Sequence, residues 1–379
     1  MRPARGLLAR NRMGRPPRFI PAGSIVEFTG RTNNAMHLLR PSPELNDRIL
    51  MVLGRALLRY PILLHAFVFL SNHWHALASV ADAAQASGFL QYVHANVAKA
   101  AQQVHGWGGT VWGRRGQIIP VLDDAAADDR LRYILAHGAK EGLVASPLDW
   151  PGVSSAGALV RGDTLVGFHR RSRRGPAAEV VTVIDEYPIT IAPLPSWAPL
   201  STAERQARAR ALLDDIERQA RIDHPRAFGA DAVQRKDPFS SPAEPKMGRA
   251  PLAHVTSPAV RESFRHARAC FIAAYRSAGC RVGDVATPAA RLFPAGALLP
   301  RIPAPALLAC PDAPPPEPAR AGATPSGSSG HRVQPARSAA ALGAANAGRS
   351  REGPSVALRR GKGRQPPRRE EQRALARGS

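Results

Sequence analysis

Between residues 20 and 160 the apolar pattern switches repeatedly between a two-residue and a helical period, and this alternation constrains the fold more than any other feature. Ser24–Thr29 (SIVEFT) reads as a strand. Glu44–Arg59 carries Leu45, Ile49, Val52, Leu53, Ala56 and Leu57 at helical spacing, the mark of an amphipathic helix. Ile62–Leu70 is a β-rich apolar run, and Ser71-Asn72 supplies turn residues before a second strand at His73–Val80. Phe89, Tyr92, Val93, Val97, Ala100 and Val104 mark another helix that stops at Gly106. Gln117–Leu122 reads as a short strand, and Asp128–Gly142 as a third helix with Leu131, Ile134, Leu135 and Ala139 on its apolar face. The order β-α-β-β-α-β-α fits an α+β sandwich of ferredoxin-like type, a mostly antiparallel sheet covered by helices. Such an architecture decides nothing about function.

Outside this segment the composition changes. Residues 1–19 form a basic N-terminal extension without the apolar core of a signal peptide. Residues 161–285 read as a mostly helical accessory region. Ser201-Thr202-Ala203-Glu204 is a capping box for a helix running to about Asp223, and Ser257-Pro258 opens another with Phe264, Ala267, Phe271 and Tyr275 along one face. A basic cluster, FHRRSRR, sits at Phe168–Arg174. Residues 286–379 are rich in Pro, Ala, Gly and Arg, and residues 331–379 set twelve Lys/Arg against three Glu. A segment so poor in apolar surface cannot offset its ordering entropy, so a disordered basic tail is expected.

Over the whole chain Lys+Arg 52 against Asp+Glu 29 leaves a formal net charge of +23, which calls for a polyanionic partner, nucleic acid being the commonest. No apolar run reaches the ~18 residues needed to span a bilayer. The three cysteines, Cys270, Cys280 and Cys310, are odd in number and lack zinc-type spacing, which fits a reduced, cytoplasmic protein.

Two elements carry chemistry. In Leu70-Ser71-Asn72-His73-Trp74-His75-Ala76-Leu77, His73 and His75 project from one face of a strand, because side-chain direction repeats every two residues. Two neutral imidazoles so placed can share a divalent ion. Alone the pair is a weak signal, since ordinary strand histidines show the same spacing. In Arg132-Tyr133-Ile134-Leu135-Ala136-His137, Tyr133 and His137 form an i,i+4 pair on a helix. His137 could complete the metal's ligands while Tyr133 presents its phenol beside the ion; the plainer alternative is a tyrosine ring packed into the core. Trp112-Gly113-Arg114-Arg115 joins an aromatic able to stack on a base to two guanidiniums suited to phosphate, or forms a structural turn. Lys140 is a solvated or phosphate-facing charge on the tyrosine helix.

The stretches HAFVFLSNHWHALASV and DRLRYILAHGAKEGLVASPLDWPGVSS resemble the HUH strand and the catalytic helix of REP-associated tyrosine transposases and related single-tyrosine insertion-sequence transposases, in the same order. The resemblance covers residues 20–160 and implies an HUH endonuclease domain there. Carried over by position, it implies metal ligation by His73 and His75 and attack by Tyr133. His137 occupies the place where these proteins often carry a third ligand, Asn or Gln. Gly138 and Gly152 replace the usual Pro and Trp, which marks a divergent subgroup. The resemblance further implies Mg²⁺ or Mn²⁺ as cofactor, single-stranded or hairpin DNA at palindromic repeats as substrate, and a 5′-phosphotyrosine intermediate. It leaves a homodimer open as the oligomeric state and implies a nucleoid-associated protein of bacterial-type cytosol. The competing reading is a non-catalytic nucleic-acid-binding protein on the same scaffold. A different metallohydrolase would need further ligands spread over a larger barrel than residues 20–160 provide.

Overall fold

The computed structural model describes residues 17–174, 180–243, 250–281 and 293–298, which all lie in one compact unit. The expected disorder of 286–379 falls outside the described residues apart from 293–298, and so do residues 1–16 of the N-terminal extension.

The first half runs β1 (Ile25–Arg31), α1 (Pro43–Arg59), β2 (Leu63–Phe69), β3 (His73–Ser79), α2 (Ala83–His105), β4 (Gln117–Val121) and α3 (Asp124–Ala136). The sheet order is β2-β3-β1-β4 with every pair antiparallel, which is the expected α+β, ferredoxin-like arrangement. Alternation along the strands sorts the core into two layers. Val26, Phe28, Phe67, Phe69, Trp74, Ala76 and Ile118 face α1 and α2. Ala66, Val68, Leu77 and Val121 face α3 on the other side. Each large side chain so buried contributes about 1.5–3 kcal/mol against the entropy of folding.

Local chemistry explains the helix starts. Ser42 caps α1 by accepting from Leu45 N (3.3 Å), Asp82 caps α2 through Gln85 N (2.7 Å), and Asp123 caps α3 through Ala126 N (2.8 Å). The last of these corrects the expected 128–142 helix. Asp123 starts it earlier, and it ends at Ala136, with His137 turning out of the helix at ψ 142. Gly138 follows at φ +89, a conformation that an L side chain adopts only with strain.

The region read as mostly helical also holds a hairpin. After α4 (Ala156–Arg161) come β5 (Leu165–Arg174) and β6 (Val180–Ile189), paired antiparallel and packed on α1. The basic cluster at Phe168–Arg174 is strand, and the β-branched run Val180-Val181-Thr182-Val183-Ile184 is the signal that identifies its partner. Then follow α5 (Thr202–Asp223), α6 (Ala230–Arg235) and α7 (Pro258–Arg281). The Ser201/Glu204 capping box is present, and Leu213, Ile216 and Ala220 of α5 join the α3 layer. No helix among the described residues is long and apolar enough to cross a membrane.

His94, on α2, makes stability depend on pH. Its ring stacks on Trp112 (centroids 4.2 Å), and its Nε2 accepts from Trp74 Nε1 (3.1 Å). Gly30 must stay a glycine beneath it, since a Cβ there would meet Nε2 at 2.5 Å. Burial, helped by Arg18, pushes the His94 pKa down to about 4. Between pH ~6.5 and ~4 the unfolded chain therefore binds a proton that the folded chain refuses, so stability falls as pH drops through that window, by roughly 3 kcal/mol in all. Urea unfolding of the metal-free protein across this range should show the decline, and His94→Gln should make it shallower by the share of one proton, the buried site histidines supplying the rest; an equal slope in the variant would show that His94 does not contribute.

Candidate metal and nucleophile site

The site forms where β3 meets the end of α3. His73 and His75 project from the same face of β3 as Leu77, while Trp74 and Ala76 project to the other. His137 reaches them from the turn that ends α3, not from within the helix as its spacing suggested. The three histidines offer ligand atoms that all lie within 4.8 Å of one another. Their ring centroids are 5.2 Å (His73–His75), 5.3 Å (His73–His137) and 4.7 Å (His75–His137) apart. The Tyr133 ring stands 4.5 Å from His137 and 5.6 Å from His75. All four residues named by the sequence therefore meet.

Hydrogen bonds orient each imidazole. His73 Nδ1 lies 2.6 Å from Asn72 Oδ1, and Asn72 itself is held by donating from Nδ2 to Ala35 O (3.1 Å). His75 Nδ1 lies 2.7 Å from Glu27 Oε1, and His137 Nδ1 3.1 Å from Glu141 Oε1. Since the partners are acceptors, Nδ1 carries the proton in each ring and Nε2 keeps its lone pair. His137 Nε2 is buried and has no hydrogen-bond partner. Burial, reinforced by the neighbouring imidazole and by Lys140, lowers the His137 pKa to about 4 despite Glu141. Burial likewise sets His73 well below its usual value. Three imidazoles with ligand atoms this close, each steadied by an oxygen acceptor, suit a metal ion, so His73, His75 and His137 could hold one.

Glu27 is the chief residue that sequence reasoning missed. It is 2% exposed on β1, between the apolar Val26 and Phe28, and its other oxygen lies 2.5 Å from His254 Nε2. Burial would raise its pKa, but hydrogen bonds from His254 and His75 outweigh burial and hold it well below the usual carboxylate range. The only available signal was a lone carboxylate at an inward position of SIVEFT. Glu141 was missed too; burial opposes its ionisation, yet the His137 hydrogen bond holds its pKa to about 2, and it also accepts from Gly138 N (2.9 Å). Glu27→Gln should weaken metal binding about 10–100-fold while the fold persists, the usual range for an outer partner of a ligating histidine. Calorimetric titration with Mn²⁺ measures this, and unchanged affinity would show that Glu27 does not support His75.

Cations crowd the tyrosine. Lys140 Nζ lies 3.5 Å from the Tyr133 ring centroid and Arg130 Cζ 4.2 Å from it. Burial raises the phenol's pKa, Glu27 adds to this and Arg130 opposes it. The hydroxyl is therefore protonated near neutral pH and needs activation to act as a nucleophile.

The WGRR segment sits in the loop before β4. Gly113 N donates to Arg31 O (3.1 Å), and Arg31 pairs in register with His73, so this loop borders the histidine end of the sheet. Arg114 and Arg115 are exposed. Trp112 is half-buried, stacked on His94 and donating from Nε1 to His94 O (2.8 Å), so its ring already has a partner.

No protein-family model matches the chain, and no curated protein does. Among solved structures, the chain is similar to a REP-associated tyrosine transposase bound to a REP hairpin, at 19% identity and a TM-score of 0.33, covering 39% of this chain and 86% of that one. It is also similar to a protein described as a transposase from Deinococcus radiodurans R1, at 14% identity and a TM-score of 0.24, covering 35% of this chain and 95% of that one.

Proposed function

We propose that this protein is a metal-dependent strand transferase that cuts and rejoins single-stranded or hairpin DNA, with Tyr133 as nucleophile. The observation that carries the reading is the meeting of Tyr133 with three acceptor-backed imidazoles of its own chain, under two flanking cations. A purely structural tyrosine has no need of such neighbours. The HUH-like and tyrosine-helix motifs supply the same assignment independently.

Tyr133 Oη attacks the phosphorus of the scissile diester, a P–O bond to Tyr133 forms, and the bond to the 3′-oxygen breaks. The phenolic proton is released and the departing 3′-oxygen takes one up, so the step is neutral in protons. The bond energy stays in the phosphotyrosine, ready for rejoining by a 3′-hydroxyl. Lys140 and Arg130 stand where negative charge gathers on the phosphate. A divalent ion held by His73, His75 and His137 would, when bound, polarise a phosphate oxygen and orient the strand. Of Mg²⁺ and Mn²⁺, the all-imidazole set suits Mn²⁺ better, since Mg²⁺ favours oxygen ligands. Arg114 and Arg115 are assigned to the DNA backbone at the site's border.

The test is incubation of the full chain with end-labelled hairpin DNA and Mn²⁺, followed by a denaturing gel. A protein–DNA adduct that needs the metal supports the reading. Binding without any adduct, on hairpins drawn from repeats beside its own gene, would favour a scaffold that binds and does not cut.

A further inference from the structure

After leaving the tyrosine helix the chain returns to the site more than a hundred residues later. His254 N donates to Pro120 O (2.8 Å) and Leu122 N to His254 O (3.0 Å), a short bridge along the outer edge of β4. Thr256 N and Oγ1 (both 2.9 Å) and Ser257 N (3.1 Å) donate to Asp123, the residue that caps α3. One carboxylate thus ties the start of α7 to the start of the tyrosine helix, while the neighbouring His254 reaches Glu27 behind the metal ligands.

From that anchor α7 runs outward on a narrow seam. Among its described side chains Phe264, Phe271 and Ala278 are buried, and Phe19 packs 5.5 Å and 5.0 Å from the first two rings. A seam repeating every seven residues leaves most of the circumference uncovered. Beside it stand Arg261, Arg265, Arg268 and Arg276. At ~100° per residue these four fall within about 80° of the helix circumference and span about 22 Å along its axis. Arg268 is half-buried and the other three are exposed. Glu262 is the helix's single carboxylate, 3.6 Å from Arg265, and an exposed pair of that kind is weak. Arg261 also donates to Val255 O (3.0 Å), which places the first guanidinium one residue from His254.

We propose that the arginine ridge of α7 is a track for the sugar–phosphate backbone of the DNA engaged at Tyr133; this rests on the functional reading above. Three observations select that occupant. The ridge carries one sign of charge. It begins beside His254, which reaches Glu27, the carboxylate behind His75. Its charged side chains are all arginine, whose planar fork matches phosphate oxygens two at a time. Contacts of this kind hold the strand in register and carry no base sequence. The ridge also gives the region after residue 160 a part in holding the DNA.

The experiment compares the full chain with Arg265→Gln/Arg268→Gln/Arg276→Gln, leaving Arg261 in place because it also braces the backbone. Affinity for a fluorescent hairpin oligonucleotide is measured over a salt series, alongside a hairpin of unrelated sequence. The variant should bind both at least about tenfold more weakly at ~0.1 M salt, and its slope of log K against log salt should be shallower by about 2–3. Its adduct with Tyr133 should survive at saturating DNA. The matching triple Arg→Lys variant should recover most of the slope. An unchanged slope, with the wild type binding and forming its adduct, would overturn the ridge and leave the catalytic reading standing. Loss confined to phosphatidylserine vesicles, with DNA binding intact, would reassign the ridge to a membrane surface. A wild type with no affinity for DNA would overturn both readings together.

Discussion

Tyr133→Phe is expected to abolish covalent capture of DNA, lowering strand cleavage by at least about 10³-fold, while affinity for the uncut strand stays within about twofold. The substitution removes one oxygen and keeps the ring. Lys140 and Arg130 therefore retain the π-face they rest on, 3.5 Å and 4.2 Å from its centroid, and the histidines beside it keep their neighbour. Burial raises the phenol's pKa, so the hydroxyl must give up its proton as it attacks, a step the variant cannot make. A denaturing gel reads the adduct, and fluorescence anisotropy reads the binding. Equal cleavage by the variant would move the nucleophile to another residue.

The second large effect is expected from His73→Ala combined with His75→Ala. Two of three converging lone pairs disappear, leaving His137 as the remaining imidazole. Mn²⁺ affinity should fall by more than about a hundredfold, beyond the usual loss from an outer partner alone, and adduct formation should fall with it. Thermal unfolding separates this from simple misfolding. A metal at about 100 times its Kd stabilises a folded site by about 2.7 kcal/mol. The wild type should thus melt several degrees higher with Mn²⁺ than without, and the double variant should melt alike in both. A metal-induced shift that persisted in the variant would place the ion elsewhere. His137→Ala is the finer control: full activity at limiting metal would remove it from the ligand set.

Much of this site was legible before any fold was known. A strand pleat sends residues i and i+2 to one side whatever the tertiary structure, so the common face of His73 and His75 followed from spacing alone. The same holds for the β-α-β-β-α-β order, which the apolar periods of Ile49, Leu53, Phe89 and Val93 and of the strands around them impose locally. Tyr133 and His137 do meet, though by a different geometry from the expected one: the helix ends between them at Ala136, and His137 turns back towards the tyrosine ring instead of continuing the helix.

What the tertiary structure alone decided is convergence over distance. Glu27 and His75 are 48 residues apart, and they touch because the sheet order sets β1 beside β3. His254 reaches Glu27 from beyond α6, and Asp123 joins α7 to α3 across 134 residues. No periodicity encodes such meetings. They depend on strand order, on the layer into which each side chain is packed, and on where the returning chain finds partners for its backbone. The sequence by itself determined which histidines share a strand face and which tyrosine and histidine lie a helical turn apart, because those are properties of a few neighbouring residues. The partners that hold the imidazoles in place, and the arginine helix that begins beside them, follow only from how distant segments pack.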